Sequence, residues 1–275
     1  MSDYLIGDIQ GCFDSLQALL KKIKFSIDKD RLFFLGDVVN RGDKSLTTLR
    51  FIKDLGDNAR MILGNHDFHL LACSLGGLKP NSKDTFTDIM QAEDRHLLID
   101  FLLQQPLVIK HKEALLVHAG IPPSWDENTV LKQSSIVEQH LQSNDVGAFI
   151  NNMYDNHPYT WSNDLNEMDA CRYTINACMR MRFCKADDTL EFDHKMNYDT
   201  APEGFKAWFL HDNRVLKNTD IFFGHWSTLS EVNPPRGLLF DASQAHVYPM
   251  DQGCAWGGQL SAIRFEDKQI FSINC

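Results

Sequence analysis

Five short apolar runs along the chain each stop within one or two residues of a group that can carry a charge or bind a cation. They are Leu5–Ile6 into Gly7-Asp8, Phe33–Leu35 into Gly36-Asp37, Met61–Leu63 into Gly64-Asn65-His66-Asp67, Leu115–Val117 into His118, and Ile221–Phe223 into Gly224-His225. Runs of this length bounded by glycine read as buried strands. The segments between the first three carry helical spacing. Asp14 and Gln17 are placed as a capping box, Leu16, Leu19, Leu20 and Ile23 share one face, and Leu46, Leu49 and Ile52 share another. The N-terminal third therefore predicts βαβα feeding a largely parallel sheet, with a third unit starting at Arg60–Leu63.

Further on, His96–Gln105 is apolar at helical spacing and is stopped by Pro106. "LVIKHKEALLVHAG" then places two apolar runs about a "KHKEA" turn, which predicts a hairpin and so a mixed sheet. Residues 124–217 are polar, with helical stretches and no obvious strand, and read as a helical, cap-like insertion within a single domain spanning 1–275. From Thr219 onward the runs "IFFGHW", "GLLFDAS", "AHVYPMDQG", "QLSAIRFE" and "QIFSI" alternate with turn residues and suggest antiparallel strands. The fold class expected is α/β, two packed mixed β-sheets flanked by helices.

Composition narrows the function. A chain of 275 residues that is 43% apolar can bury a sizeable core. A net charge of −10 argues against a protein that coats nucleic-acid backbone, so an anionic substrate must be met by local positive charge. Seven cysteines without a C-x-x-C pair suggest neither a disulfide framework nor a zinc ribbon, and reduced, mostly buried thiols are expected. No apolar stretch is long enough to span a bilayer, and "MSDYLIGD" lacks a secretory pattern, so a cytoplasmic protein without a membrane partner is expected. No interface pattern stands out, and a monomer is expected.

In open α/β sheets, ligands sit in the crevice beyond the carboxyl ends of strands. The five strand-end groups converge there if the strands are parallel neighbours. Two Asp, one Asn and two His form a mixed nitrogen and oxygen donor set suited to Mn, Fe, Co or Zn, whereas a site for Mg alone would not favour so many imidazoles. The adjoining glycines remove a Cβ where the chain turns beside something bulky or charged.

The ordered set "GDIQG", "GDVVNRG", "GNHD", "VHAG" and "GHW" resembles the phosphoprotein-phosphatase branch of the calcineurin-like metallophosphoesterases. Within that branch, "YLIGDIQGC", "GNHDFHLLA", "MRMRFC", "FFGHW", "GCAWGG" and "FEDKQIF" are similar to the symmetrical diadenosine tetraphosphatases over essentially the whole chain. The resemblance implies a two-metal hydrolase that splits diadenosine tetraphosphate into two ADP by attack of a hydroxide shared by the metals. By the same resemblance Asp8, Gln10 and Asp37 hold one ion, while Asp37, Asn65, His118 and His225 hold the other. Asp37 is then the bridge between ions about 3.5–4 Å apart. Mn is the ion expected first, with Co, Fe or Zn as alternatives. His66 is implied as general acid and Arg41 as a phosphate clamp. With only two carboxylates facing two cations, the site is expected to be formally positive.

Two positions depart from the pattern. Gln10 stands where most of the wider family has His, and a neutral amide oxygen implies a looser first metal. Asn40 stands where protein phosphatases carry an Asp that raises the pKa of the catalytic imidazole, so His66 is expected to be a poorer acid. The insertion adds Arg180, Arg182 and Lys185 in "NACMRMRFCK", a positive cluster able to hold a polyphosphate. Trp161 and Trp256 are candidate adenine platforms. The family resemblance also admits dinucleoside-polyphosphate caps at RNA 5′ ends as substrates. The competing readings are a phosphoserine/threonine protein phosphatase and a catalytically silent scaffold of the same fold.

Overall fold

The computed structural model describes residues 2–232, 235–238 and 246–275. In chain order, β1 (Ser2–Ile6), α1 (Phe13–Lys22), β2 (Asp30–Phe34), α2 (Ser45–Asp54), β3 (Ala59–Met61) and α3 (Asn65–Ser74) make three successive βα units. Two helices, α4 (Thr87–Gln91) and α5 (Arg95–Leu103), lead to the hairpin of β4 (Val108–His111) and β5 (Ala114–Val117). Next come α6 (Glu127–Leu141), α7 (Val146–Met153) and α8 (Glu167–Arg180), then three two-residue strands, β6 (Phe183–Cys184), β7 (Leu190–Glu191) and β8 (Lys206–Ala207). The chain closes with β9 (Asp220–Phe223), β10 (Ser230–Val232), β11 (Pro235–Leu238), β12 (Val247–Pro249), β13 (Gln259–Arg264) and β14 (Ile270–Asn274).

One sheet runs β14-β13-β1-β2-β3, with β1, β2 and β3 parallel and the β13–β14 hairpin antiparallel at its edge. The other runs β12-β9-β5-β4, parallel except for β4. Strand alternation sorts their side chains into layers. Leu5, Phe33, Leu35 and Ile62 of the first sheet pack with Ile109, Ala114, Leu116 and Phe222 of the second, forming the seam between sheets. Their neighbours Tyr4, Ile6, Leu32, Phe34, Leu115, Val117, Ile221 and Phe223 turn the other way into the core beneath the helices. Asp3 bolts the two sheets together at the edge of the seam. It accepts from Arg31 on β2 at 2.9 Å and meets His111 on β4 at 2.9 Å.

Several expectations change. The α1 N-cap is Cys12, with no side-chain cap, so Asp14 is not a capping residue; it lies in the first turn and pairs outward with Lys44. The strands after Thr219 are not uniformly antiparallel, because β9 pairs in parallel with both β5 and β12. Of the run "GLLFDAS", residues 239–243 lie outside the described residues, as does Ala245 of "AHVYPMDQG". Residues 124–217 do contain short strands. Finally, Cys254 and Cys275 form a disulfide, correcting the expectation of reduced thiols throughout; Cys12, Cys73, Cys171, Cys178 and Cys184 are free. The last strand, β14, returns the C-terminus beside the turn holding Cys254, a juxtaposition invisible in the spacing of the two residues. Among the described residues no helix is long and apolar enough to cross a membrane.

Candidate metal centre

The five strand ends converge at one edge of the two sheets. Asp8 follows β1, Asp37 follows β2, Asn65 opens α3 just beyond β3, His118 follows β5 and His225 follows β9. One ligating atom each of Asp8, Asp37 and His118 lie within 4.8 Å of one another, and all three residues are buried. Asn65 Oδ1 lies 2.8 Å from His225 Nδ1 and 3.3 Å from His118 Nε2. The glycines act as the pattern suggests. A Cβ on Gly64 would run into the Asp37 carboxylate, and one on Gly224 into the Asp8 carboxylate.

Each donor is aimed by a partner behind it. Asp8 accepts the His225 backbone N–H, and Asp37 accepts that of His66 at 2.7 Å. His118 Nδ1 donates to the Leu35 carbonyl at 2.7 Å, which leaves Nε2 to face the centre. His225 Nε2 meets the Arg180 carbonyl at 3.1 Å, which leaves Nδ1 facing inward. Backbone acceptors behind ligating imidazoles hold ring orientation in metal sites. Asp67 ties the frame together, accepting from Asp37 N at 2.8 Å, Gly64 N at 2.9 Å and Val38 N at 3.0 Å.

Sequence reasoning missed a third carboxylate. Asp251, just beyond β12, is buried and lines the same cavity as Gln10, Asp37, Asn65 and His225. The signal was present: "VYPMD" is one more apolar run ending in an acid. Asp251 thus stands beside the two carboxylates expected from the sequence and leaves the cavity less positive than those two alone would. Burial and the charges of Asp251 and Asp37 push Asp8 well above the usual carboxylate range. Burial and Asp37 push Asp251 up to about 6. Burial should discourage a charged His118, yet Asp37 beside it drives its pKa up to about 10. The cluster thus draws positive charge to itself. Asp8, Asp37 and His118, with Asn65 and His225 beside them, form a mixed oxygen and nitrogen donor set that suits a divalent cation.

Gln10, at positive φ, turns its amide nitrogen to Asp37 Oδ2 at 3.4 Å, so its oxygen faces away from that carboxylate. His66 Nε2 lies 3.9 Å from Asp37 Oδ2. Burial holds His66 below the ordinary imidazole range, with Asp37 opposing and Arg41 and His118 reinforcing the shift.

Two cavities meet at this centre. One, of about 370 Å³, lies over the carboxylates and includes Arg182, Lys195 and the largely exposed Trp256. The other, of about 470 Å³, lies under α7 and α8, between Phe68, Met153, Tyr154, Ile175 and Met179. Arg41, Asn65, His66 and Arg180 line both. Arg180 is held by Asn176 at 2.7 Å and Asn156 at 2.9 Å, and Arg182 donates to the His225 carbonyl at 3.0 Å. The Arg182 Nε is buried with no acceptor among the described residues, a donor left over for an anion. Lys185 does not join them; it is exposed and lies over the Phe205 ring. Trp161 packs edge-on against Trp125 at 4.8 Å and lines neither cavity, so it is a core residue and no platform.

A family model for calcineurin-like phosphoesterases matches residues 4–227. The chain belongs to the calcineurin-like phosphoesterase family. Within that family it is 44% identical over 274 residues to a protein of Actinobacillus succinogenes named bis(5′-nucleosyl)-tetraphosphatase, symmetrical, covering 99% of this chain and 96% of that one. A protein of the same name from Vibrio parahaemolyticus is 44% identical, covering 99% and 98%. Among solved structures, a candidate diadenosine tetraphosphatase superposes with a TM-score of 0.64 at 22% identity, covering 99% of this chain and 93% of that one. A protein serine/threonine phosphatase of Saccharomyces cerevisiae superposes at 0.56 and 14% identity, covering 100% and 79%. These last two likenesses speak for the fold. This phosphoesterase is thus a metal-dependent hydrolase by family, with the two packed mixed sheets that its strand pattern predicted.

Proposed function

We propose that the protein hydrolyses dinucleoside tetraphosphates symmetrically, splitting diadenosine tetraphosphate into two ADP. The observation that carries this reading is the pair of cavities meeting along Arg41, Asn65, His66 and Arg180. A substrate with a nucleoside at each end and phosphates between them needs room on both sides of the reacting centre and cations along the middle. Both are present here.

The ligands are Asp8, Gln10, Asp37, Asn65, His118 and His225, to which Asp251 is added as a third carboxylate. A pair of divalent ions, Mn first and Co, Fe or Zn otherwise, supplies Lewis-acid polarisation of the phosphoryl oxygen and a water acidic enough to attack at neutral pH. Arg41 and Arg180 neutralise phosphate charge at the junction of the cavities, and Arg182 does so over the carboxylates. Arg180 also lies over the Phe192 ring, 4.5 Å from its centroid, which limits its movement. His66 faces the oxygen that departs with the second nucleoside diphosphate. Trp256 offers a stacking face to the nucleobase on the carboxylate side, and Phe68 and Tyr154 enclose the other base. We read residues 124–217 as a cap on a single domain, since Met153, Tyr154, Ile175, Arg180 and Arg182 come from it.

The reading extends to dinucleoside-polyphosphate caps on RNA 5′ ends. An acidic chain suits recognition of the cap and offers little to the trailing backbone. The working unit is taken as a monomer in the cytoplasm. Product analysis tests the proposal: Mn-loaded protein given diadenosine tetraphosphate is expected to release ADP alone. A mixture of AMP and ATP overturns the symmetrical assignment, and turnover of a phosphopeptide in preference to the dinucleotide favours a protein phosphatase.

A further inference from the structure

Away from the reaction centre, a second group of side chains gathers donors of the kind that bind metals. His69 and Cys73 stand four residues apart on α3 and so share one face of that helix. Asp84, from the segment before α4, closes on the same face. Cys73 Sγ lies 3.8 Å from His69 Nε2, and His69 Nε2 lies 2.8 Å from Asp84 Oδ2. One donor atom from each of the three falls within 4.8 Å of the others. Among the described residues, this group and that of Asp8, Asp37 and His118 are the two of their kind, and only this one includes sulfur.

Two of the donors are held from behind. The Asp84 side chain is 2% exposed; its Oδ1 accepts from Asn40 Nδ2 at 3.0 Å and its Oδ2 accepts the Asn81 backbone N–H at 2.8 Å. Among the described residues no Lys or Arg pairs with this buried carboxylate, and His69 is its one ion-pair partner. His69 Nδ1 meets the Tyr154 hydroxyl at 2.8 Å, which leaves Nε2 as the nitrogen facing Asp84 and Cys73. A ring fixed through its other nitrogen is how ligating imidazoles are held. Burial and Asp84 push the Cys73 thiol up to about 11, so without a cation it is an unreactive thiol and no nucleophile.

We propose that His69, Cys73 and Asp84 form a further metal site, separate from the reaction centre, for a cation that takes sulfur together with nitrogen and oxygen, Zn²⁺ in the first place. Mn²⁺, suited to oxygen donors, gains little from a thiolate. Binding exchanges the thiol proton for the metal: the S–H electron pair passes to the sulfur–metal bond, the proton goes to solvent, and nothing is oxidised or reduced. His69 binds through the Nε2 lone pair, with its ring hydrogen on Nδ1 toward the Tyr154 oxygen. Three protein donors leave zinc one short of its usual four, and His69 and Asp84 lie on the wall of the cavity of about 470 Å³, from which a water completes the set. The ion ties α3 to the segment before α4, with Tyr154 fixed to the same imidazole. It braces the wall of that cavity and takes no part in the hydrolysis.

Co²⁺ tests the site, because a thiolate bound to it gives a near-ultraviolet charge-transfer band that oxygen and nitrogen donors do not. The full chain, with its Cys254–Cys275 disulfide intact and no thiol reductant present, is saturated with Mn²⁺ to occupy the reaction centre and then titrated with Co²⁺. A band saturating at one Co²⁺ per chain is expected, and Zn²⁺ added afterwards should bleach it. Cys73→Ser should lose the band, and His69→Gln should weaken Co²⁺ binding at least ~10-fold, the lower end of what the loss of even a supporting group costs. No band in the wild type overturns the proposal, as does a band that survives Cys73→Ser or an affinity unchanged in His69→Gln. Alkylation mapped by mass spectrometry tests the wild type without any variant: Zn²⁺ is expected to protect Cys73 from iodoacetamide, and equal labelling with and without Zn²⁺ overturns the site even where a variant does not fold. None of these readouts uses turnover, so the site stands or falls apart from the hydrolysis proposed above.

Discussion

Gly64 and Gly224 are small because carboxylates occupy the space where their side chains would be. The Asp8 carboxylate lies so close to Gly224 that adding one methyl group forces it, or the His225 backbone it accepts from, to move. Gly224→Ala should therefore lower stability by about 1–3 kcal/mol through overpacking. It should also weaken divalent-cation binding ~10–100-fold, the range seen when groups supporting ligands are disturbed. Calorimetric Mn²⁺ titration checks the second effect, and unchanged affinity would show that Asp8 is not a ligand. At this scale much of the site was legible, since chain continuity alone dictates which residue follows a strand. Asp251 followed the same rule and was passed over. Asn40 and Asp84 were not readable as a pair, because they stand 44 positions apart and nothing in the intervening pattern brings them together.

Among elements, the decisive feature is the alternation that sends Leu5 and Phe33 into the seam between sheets and Ile6 and Phe34 beneath the helices. Asp3 lies on β1 where that seam reaches its edge, paired with Arg31, Lys112 and His111. Burial would raise its pKa, but hydrogen bonds from Lys112 and Arg31 outweigh burial and hold it below 3.8. A depressed carboxylate pKa stabilises the fold above the unfolded value, and that stabilisation is lost as pH falls through the folded value. Asp3→Asn should cost about 1.5–3 kcal/mol at neutral pH. The gap between wild type and variant should close as pH drops below about 4. Urea melts across that range check it, and a gap that holds or widens in acid would mean the pairs contribute nothing. Helices and the β4–β5 hairpin were legible because they are local. The parallel pairing of β9 with β5 and β12 was not, since a strand's own pattern does not name its neighbour.

For the whole molecule, three buried carboxylates at one edge are a standing electrostatic strain that a bound cation relieves. Binding to the folded state alone raises stability by about 2.7 kcal/mol at a hundredfold excess over Kd. For a chain of this length that is a rise of several degrees in Tm. Thermal melts of chelator-treated protein with and without Mn²⁺ should show it, and Asp37→Asn should abolish most of it. An Mn²⁺-independent Tm in the wild type would contradict the metal centre.

The sequence by itself determined the βα units, the polar groups that end the strands and, through its motifs, the family, because each of these is written in residues adjacent along the chain. Only the tertiary structure decided that Asp251 joins the centre, that Trp161 and Lys185 stay out of it, that Cys254 meets Cys275, and that two cavities share Arg41, His66 and Arg180. These are contacts between segments far apart in sequence. They exist only after the sheets have packed, when burial and hydrogen bonding choose among partners that local pattern cannot distinguish.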